Sequence, residues 1–167
     1  GNGTELSAAL TAQSVTNTGF TSVISNERAF AALKADGTLL TWGNSTFGAD
    51  VNIPASNPNN PVLENIVSIH TFYASNAFAA LKSNGEVYMW GGADGGTHPG
   101  GLTGITNIYA TSDTFIAKDS SGGLISWGGT TNDQDVPTSG TAAALTSGVG
   151  SVFTDTFSTT ALKSGVV

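Results

Sequence analysis

The sequence predicts an all-β fold made of about three to four copies of one repeated unit, and three observations support this prediction. A Phe–Gly–Trp spacing recurs, Asp-Gly or Asn-Gly dipeptides stand between apolar residues, and apolar and polar positions alternate. In each copy the Phe precedes the Gly by seven positions and the Trp by twelve, and a second Gly follows the Trp. The residues at these repeat positions are Phe30, Gly37 and Trp42, then Phe78, Gly85 and Trp90, then Phe115, Gly122 and Trp127.

The dipeptides at the centre of two copies predict β-hairpins. Asp36-Gly37 and Asn84-Gly85 each lie between apolar residues, and such pairs favour the type I′ turn, which needs a positive φ at both central positions. Residues 39–43 then alternate between two kinds of side chain, which is the period of a strand with two unlike faces. The unit therefore contains a two-stranded hairpin that runs from its Phe to its Trp.

A further short apolar run precedes each hairpin, so the unit is expected to hold at least three strands. The last copy is incomplete, because residues 160–165 repeat residues 80–85 with one residue deleted and no tryptophan follows. The apolar runs are Val23-Ile24, residues 66–69, Ile108-Tyr109 and Val152-Phe153.

These runs divide the chain into repeats. An N-terminal strand segment at residues 1–22, for which completion of a blade is the expected role, precedes them. The repeats are predicted at about residues 23–65, 66–107 and 108–150, with a partial copy at 151–167.

The repeat length is typical of propeller blades. Trp42 and Trp90 are 48 residues apart, and Trp90 and Trp127 are 37 residues apart. A closed propeller needs about four to eight blades, so these copies predict a β-propeller-like array that is either partial or completed by assembly. The stretches after each Trp-Gly are rich in Gly, Pro, Asn and Asp and differ in length, which is typical of variable surface loops.

The composition of the chain limits the classes of binding partner that can be expected. Only 10% of the residues are charged, and the formal net charge of -7 repels phosphate backbones and anionic lipid heads. Nucleic acid and membrane insertion are therefore not expected, and no run approaches the 18 or so apolar residues of a membrane helix. A surface rich in hydroxyls and amides is typical of extracellular bacterial proteins, which predicts a secreted or cell-surface location. Cysteine is absent from the sequence.

The motif Phe-Ala-Ala-Leu-Lys, then Asp-Gly or Asn-Gly, then Trp-Gly resembles the repeat of the regulator-of-chromosome-condensation family, in the divergent form of large bacterial surface proteins. The resemblance covers about residues 20–167 and implies four-stranded blades, commonly seven, around an axis. Eukaryotic members carry His-Ser where this chain has Phe30-Ala31 and Phe78-Ala79, and their Gly-Gln-Leu-Gly segment after the tryptophan is absent. Nucleotide exchange and chromatin binding are therefore not carried over to this chain.

The tryptophans have two interpretations. Their rings could stack on sugars, but one fixed strand position in every copy favours packing in the core, with each indole buried against the next copy. We therefore predict no sugar site at the tryptophans, and we treat the nine repeat positions as structural.

No catalytic, cofactor or metal site is predicted. His70 and His98 are too few for a zinc site, and neither has a serine and an aspartate at the spacing of a catalytic triad. Asp94, Asp133 and Asp135 have the oxygen ligands that calcium prefers, but no calcium-loop spacing surrounds them, so Asx turns are the preferred interpretation. Calcium is the one ion that these loops would suit.

The predicted function is accordingly a non-enzymatic extracellular binding or adhesion module, whose loops present a surface to a protein or a glycan. The alternative is a structural subunit that assembles with copies of itself into rings or fibres by completing strands or blades between chains.

Overall fold

The computed structural model describes residues 8, 11, 16, 18–49, 65–72, 75–92, 102–111, 114–128, 145–155 and 159–164. Within this part of the chain there are eleven β-strands and one short 3-10 helix, Ser45–Phe47. The strands are β1 (Phe20–Ser25), β2 (Ala29–Lys34), β3 (Leu39–Gly43), β4 (Ile66–His70), β5 (Ala77–Lys82), β6 (Val87–Gly91), β7 (Ile105–Ala110), β8 (Thr114–Asp119), β9 (Leu124–Gly128), β10 (Val149–Thr154) and β11 (Thr159–Lys163).

The strands form four antiparallel sheets in chain order, which we call blades 1 to 4. Blade 1 is β1-β2-β3, blade 2 is β4-β5-β6, blade 3 is β7-β8-β9 and blade 4 is β10-β11. The pairing repeats residue for residue, since Phe30 pairs with Trp42, Phe78 with Trp90 and Phe115 with Trp127. The predicted all-β array of about three to four propeller-like blades is confirmed. The fourth strand that the resemblance implies for each blade falls outside the described residues.

The first strand of each blade carries a β-bulge at the same place. The bulged residues of blades 1 and 3, Thr21 and Thr106, each donate their hydroxyl to a carbonyl of the neighbouring strand at 3.1 Å. Because the bulged residue is polar, it interrupts the apolar pattern by which a strand is recognised in a sequence. The apolar runs therefore begin after the first residues of β1 and β7. Three of the approximate repeat boundaries, at 22/23, 107/108 and 150/151, lie two or three residues inside β1, β7 and β10.

The predicted N-terminal strand segment also differs from the structure. Ala8 and Thr11, its two described residues before residue 16, are helical. Phe20 belongs to β1 and pairs with Lys34 of the same blade, so it is not free to complete another one. The remaining predicted strand residues lie outside the described part of the chain.

The hairpins are present, but the predicted type I′ turn is wrong. In the first turn only Gly37 has a positive φ, 83°, and Asp36 does not. The Gly37 N–H donates to Lys34 O at 3.0 Å, and the Lys34 N–H donates to Thr38 O at 2.9 Å. This is a three-residue loop in which a type I turn ends in a glycine bulge, so one left-handed residue is sufficient.

Adjacent blades pack face to face through two apolar clusters. One joins blades 1 and 2, and the other joins blades 2 and 3. The first contains Ile24 and Leu33 from blade 1, packed with Ile69, Phe78 and Trp90 from blade 2. We call the side of a blade that contacts the preceding blade its leading face and the opposite side its trailing face.

The tryptophans lie on leading faces, which corrects the predicted direction of packing. Trp90 belongs to the cluster shared with blade 1, and Trp127 belongs to the cluster shared with blade 2. Each indole therefore packs against the preceding copy and not the next one. The direction follows from the strand register, because Phe and Trp are cross-strand partners on one face while the alanines beside Phe point to the other.

Candidate functional site

The repeat residues build the contacts between blades. Phe78 and Trp90 stack with ring centroids 5.2 Å apart, and Phe115 and Trp127 stack at 5.8 Å. The Trp90 Nε1–H donates across the blade interface to Gly48 O at 3.0 Å, and the Trp127 Nε1–H donates to Met89 Sδ. These hydrogen bonds satisfy the one polar atom of each buried indole, so the rings need no external ligand.

The repeat glycines form a second set of contacts between successive blades. The hairpin turn of each of the first three blades lies against the first strand of the following blade. Ile105 N–H donates to Gly85 O at 3.1 Å, and Val149 N–H donates to Gly122 O at 3.0 Å. A Cβ on Gly122 would lie 2.6 Å from Val149 N, so only glycine lets the two backbones approach. Successive blades are thus joined both at their apolar faces and at their turns.

At the two ends of the described array, by contrast, some apolar side chains are exposed. The leading face of blade 1 exposes 57% of Val23 and leaves Phe30 and Trp42 half-buried, but it buries Ala32 and Leu40 completely. The trailing face of blade 4 exposes 60% of Phe153 and 55% of Leu162. The register equivalents of Val23 in the other blades are buried, namely Ile69, Ile108 and Val152. Those of Leu162 are the buried Leu33 and Leu81 and the half-buried Lys118, and those of Phe153 are all half-buried, namely Ile24, His70 and Tyr109.

A polar patch lies on the rim of blade 1, where the β1–β2 turn meets the 3-10 helix. Arg28, the only arginine in the sequence, is exposed, forms a 3.3 Å ion pair with Glu27 and lies over the Phe47 ring at 5.1 Å. Asn26 fixes this geometry, because its buried side chain donates to Phe47 O at 2.8 Å and accepts from Ala29 N–H at 2.8 Å. We call Glu27, Arg28 and Phe47 the rim patch.

His70 is partly buried on the trailing face of blade 2. It occupies the register position of Ile24 in blade 1, since the two pair with Ala79 and Ala31 respectively. Its Nε2 lies 2.9 Å from Ser68 Oγ, and desolvation lowers its pKa from 6.5 to about 4. The side chain is therefore a neutral packing residue at neutral pH.

This burial predicts an acid-sensitive stability. The unfolded chain binds a proton near pH 6.5 and the folded chain only near pH 4, so stability falls as the pH drops between these values. Between pH 7 and pH 5 the loss is expected to be about 2 kcal/mol in urea unfolding. His70→Ile, which restores the residue type of blade 1, is expected to flatten this dependence. An unchanged slope in the variant would assign the acid sensitivity to other groups.

The other candidate ligands do not gather into a site within the described residues. No group of three His, Asp or Glu side chains suited to a metal ion occurs in this part of the chain. His98, Asp94, Asp133 and Asp135 lie outside the described residues, so the calcium and Asx-turn interpretations stay predictions. No described helix has the length and hydrophobicity needed to cross a membrane.

Comparison with known proteins identifies the blade architecture. No family model and no curated protein matches the sequence. Among solved structures, the yeast RCC1 protein Prp20, crystallised bound to Kap60, matches with a TM-score of 0.55 and 19% identity over 86% of this chain. The chain has the RCC1-type propeller fold. The resemblance to regulator-of-chromosome-condensation repeats is thereby confirmed, while the bacterial surface context stays a prediction.

Two further structures are similar. Prp20p from Saccharomyces cerevisiae, studied for its binding to Gsp1p and histones, gives a TM-score of 0.48 with 21% identity over 87% of this chain. Human WBSCR16 gives 0.49 with 20% identity over 65% of this chain. The chain spans only 34%, 39% and 41% of WBSCR16, Prp20p and Kap60-bound Prp20.

The exposed apolar residues of blades 1 and 4 and the rim patch were not predicted from the sequence. The repeat alignment does place Leu162 beside Leu33 and Leu81 as a core residue. Its exposure depends on which blade follows, and local sequence carries no signal for that. Arg28 and Phe47 are brought together by a turn and a short helix that follow different strands, so their spacing in the chain is not diagnostic.

Proposed function

We propose that the chain is a non-enzymatic, secreted or cell-surface module that binds a protein through the rim of its RCC1-type blades. The rim patch is the observation that carries the proposal. Arginine and aromatic side chains are enriched among the residues that dominate protein interfaces. Here the buried Asn26 side chain fixes the backbone of both residues, because it accepts from Arg28 N–H at 3.1 Å and donates to Phe47 O at 2.8 Å, and this reduces the ordering cost of binding.

The contrast between constant strands and variable connecting loops supports this proposal. The strands repeat with one register, whereas the connections after each Trp-Gly differ in length and composition. The yeast RCC1 structure contains a bound protein, Kap60, which is a precedent for a protein partner on this fold. A protein is preferred to a glycan because the rim patch pairs a guanidinium with a carboxylate and leaves no open aromatic face for a sugar ring.

Substitution of Arg28 tests the proposal. The immobilised protein is exposed to a surface-protein extract of the producing cells and, separately, to a glycan array. Arg28→Ala is expected to weaken binding of a captured protein by about 10-fold or more, the effect of losing a residue that contributes over 1 kcal/mol. Lys163→Ala removes a positive charge from an exposed residue of blade 4 and should leave the affinity unchanged.

Two results would reject the protein-binding role for the rim patch. One is binding to glycans alone, and the other is equal affinity of the native chain and Arg28→Ala for the captured protein.

A second candidate function is self-assembly, and exposed apolar side chains at the two ends of the described blades favour it. Monomeric soluble proteins seldom leave core-type apolar residues exposed together, and such surfaces typically mark contacts with another molecule. Val23 and Leu162 are more than half exposed although Ile69 and Leu33, at the same register positions of other blades, are buried. Phe153 is 60% exposed.

A further inference from the structure

Met89 carries the only sulfur atom in the sequence, because the chain has one methionine and no cysteine. The residue lies on β6, where its half-buried side chain packs on the apolar cluster that joins blades 2 and 3. Its sulfur accepts the indole N–H of Trp127, which belongs to the leading face of blade 3. We propose that Met89 is an oxidation site for peroxides, and that formation of the sulfoxide loosens the contact between blades 2 and 3.

The contact between blades 1 and 2 is built without a thioether. There the Trp90 indole N–H donates to a backbone carbonyl, Gly48 O, at 3.0 Å. A carbonyl is a strong acceptor, whereas the thioether that faces Trp127 is a weak one. The register position of Met89 is occupied by Thr41 in blade 1 and by Ser126 in blade 3. A sulfur that a mild oxidant can modify is therefore confined to the contact between blades 2 and 3.

The oxidation step is a two-electron transfer to the peroxide. A lone pair of the Met89 sulfur attacks one oxygen of hydrogen peroxide, so that an S–O bond forms and the O–O bond breaks. The departing hydroxide takes the proton of the transferred oxygen and leaves as water, and the sulfur is left as a sulfoxide. Met89 is only half-buried and hydrogen peroxide is a small molecule, so the step needs no unfolding of the chain.

The product no longer suits the contact in which Met89 lies. Sulfoxide formation converts a flexible apolar side chain into a polar one. The added oxygen needs room between the sulfur and the Trp127 indole, beside the fully buried Ala79 that pairs with Met89. Extra volume at a packed site is destabilising, so the two blades move apart or the modified side chain leaves the contact. Either change exposes the Trp127 indole to water.

Peroxide treatment of the native chain tests the inference. Peptide mass spectrometry should locate one added oxygen atom at Met89. Thermal unfolding should show a fall in Tm of at least about 4 °C, the effect of overpacking in a chain of this size. By nuclear magnetic resonance, the Trp127 indole N–H should exchange at least about 10-fold faster after oxidation, because its contact opens more often, while the exchange of Trp90 stays unchanged.

Met89→Leu is the matched control, because leucine has a similar volume and no sulfur. This variant should fold with a Tm close to that of the native chain. Peroxide should then add no oxygen at residue 89 and leave the Tm unchanged. A fall in Tm on peroxide treatment as large as that of the native chain would assign the effect to other residues and overturn the proposal.

Two results for the native chain would also overturn it. One is the absence of added oxygen at a peroxide concentration that oxidises the chain fully in urea, since this would show that the folded chain shields the Met89 sulfur. The other is a sulfoxide at Met89 with unchanged Tm and unchanged exchange of Trp127, since this would show that the contact between blades 2 and 3 accommodates the added oxygen.

Discussion

Replacement of Trp90 by alanine is expected to destabilise the protein by about 4 kcal/mol, the range for deleting a buried large aromatic side chain. Trp90 is 6% exposed and stacks on Phe78, and it packs with residues of blade 1. Its removal leaves a cavity between two blades and also deprives Gly48 O of its 3.0 Å hydrogen bond. Both losses act at the contact between blades 1 and 2.

The matched control is Trp42→Ala. Trp42 has the same strand position and the same 5.2 Å stack on its phenylalanine, but it is half-buried and lies in a blade that no described blade precedes. Its replacement should cost about 1–2 kcal/mol, because less apolar area returns to water. Urea unfolding of the two variants measures the difference between these losses. Equal losses would contradict the packing of Trp90 on the preceding blade.

Gly122→Ala is expected to cost about 3 kcal/mol, the second largest effect. The residue has a φ of 78°, which a side chain disfavours by about 1–2 kcal/mol. The added Cβ would also lie 2.6 Å from Val149 N and 2.8 Å from Val149 O, so the turn and the first strand of blade 4 must separate. That separation stretches the 3.0 Å hydrogen bond from Val149 N–H to Gly122 O.

The Gly19→Ala variant separates the cost of the positive φ from the cost of the clash with the following blade. Gly19 has nearly the same φ, 79°, but no atom lies within 4 Å of an added Cβ. This variant should lose only the conformational part, about 1 kcal/mol. Thermal unfolding of both variants measures the difference. A Gly122→Ala loss no greater than that of Gly19→Ala would show that turn and following blade are not in close contact.

The strands and hairpins were predictable because their signal is local. Each Phe pairs with its Trp across one turn, so a fixed spacing in the sequence reports a fixed register in the sheet. The turn type was not predictable, because Asp36-Gly37 is compatible with both a type I′ turn and a type I turn with a glycine bulge. The third turn has Ser121-Gly122 instead, and Asp119 supports it by accepting from Ser121 and Gly123 N–H groups at 2.7 and 2.8 Å.

The candidate surfaces were less predictable because they depend on contacts between blades. The direction in which Trp90 packs follows from which neighbour covers its face, and the sequence of one blade does not specify that. The exposure of Phe153 likewise arises because no described blade covers the trailing face of blade 4. The sequence indicates only that His70 has too few neighbouring ligands for a metal site, and its place on the trailing face of blade 2 follows from the strand register.

Indole hydrogen exchange tests the central claim, that the Phe–Trp hairpins of blades 2 and 3 pack on the preceding blade. Nuclear magnetic resonance would follow the three tryptophan Nε1–H groups, each assigned by its loss on Trp→Phe substitution. We expect Trp90 and Trp127 to exchange at least about 100-fold more slowly than Trp42, which is half-buried in a blade that no described blade precedes. Exchange of all three at one rate, or slowest exchange at Trp42, would contradict it.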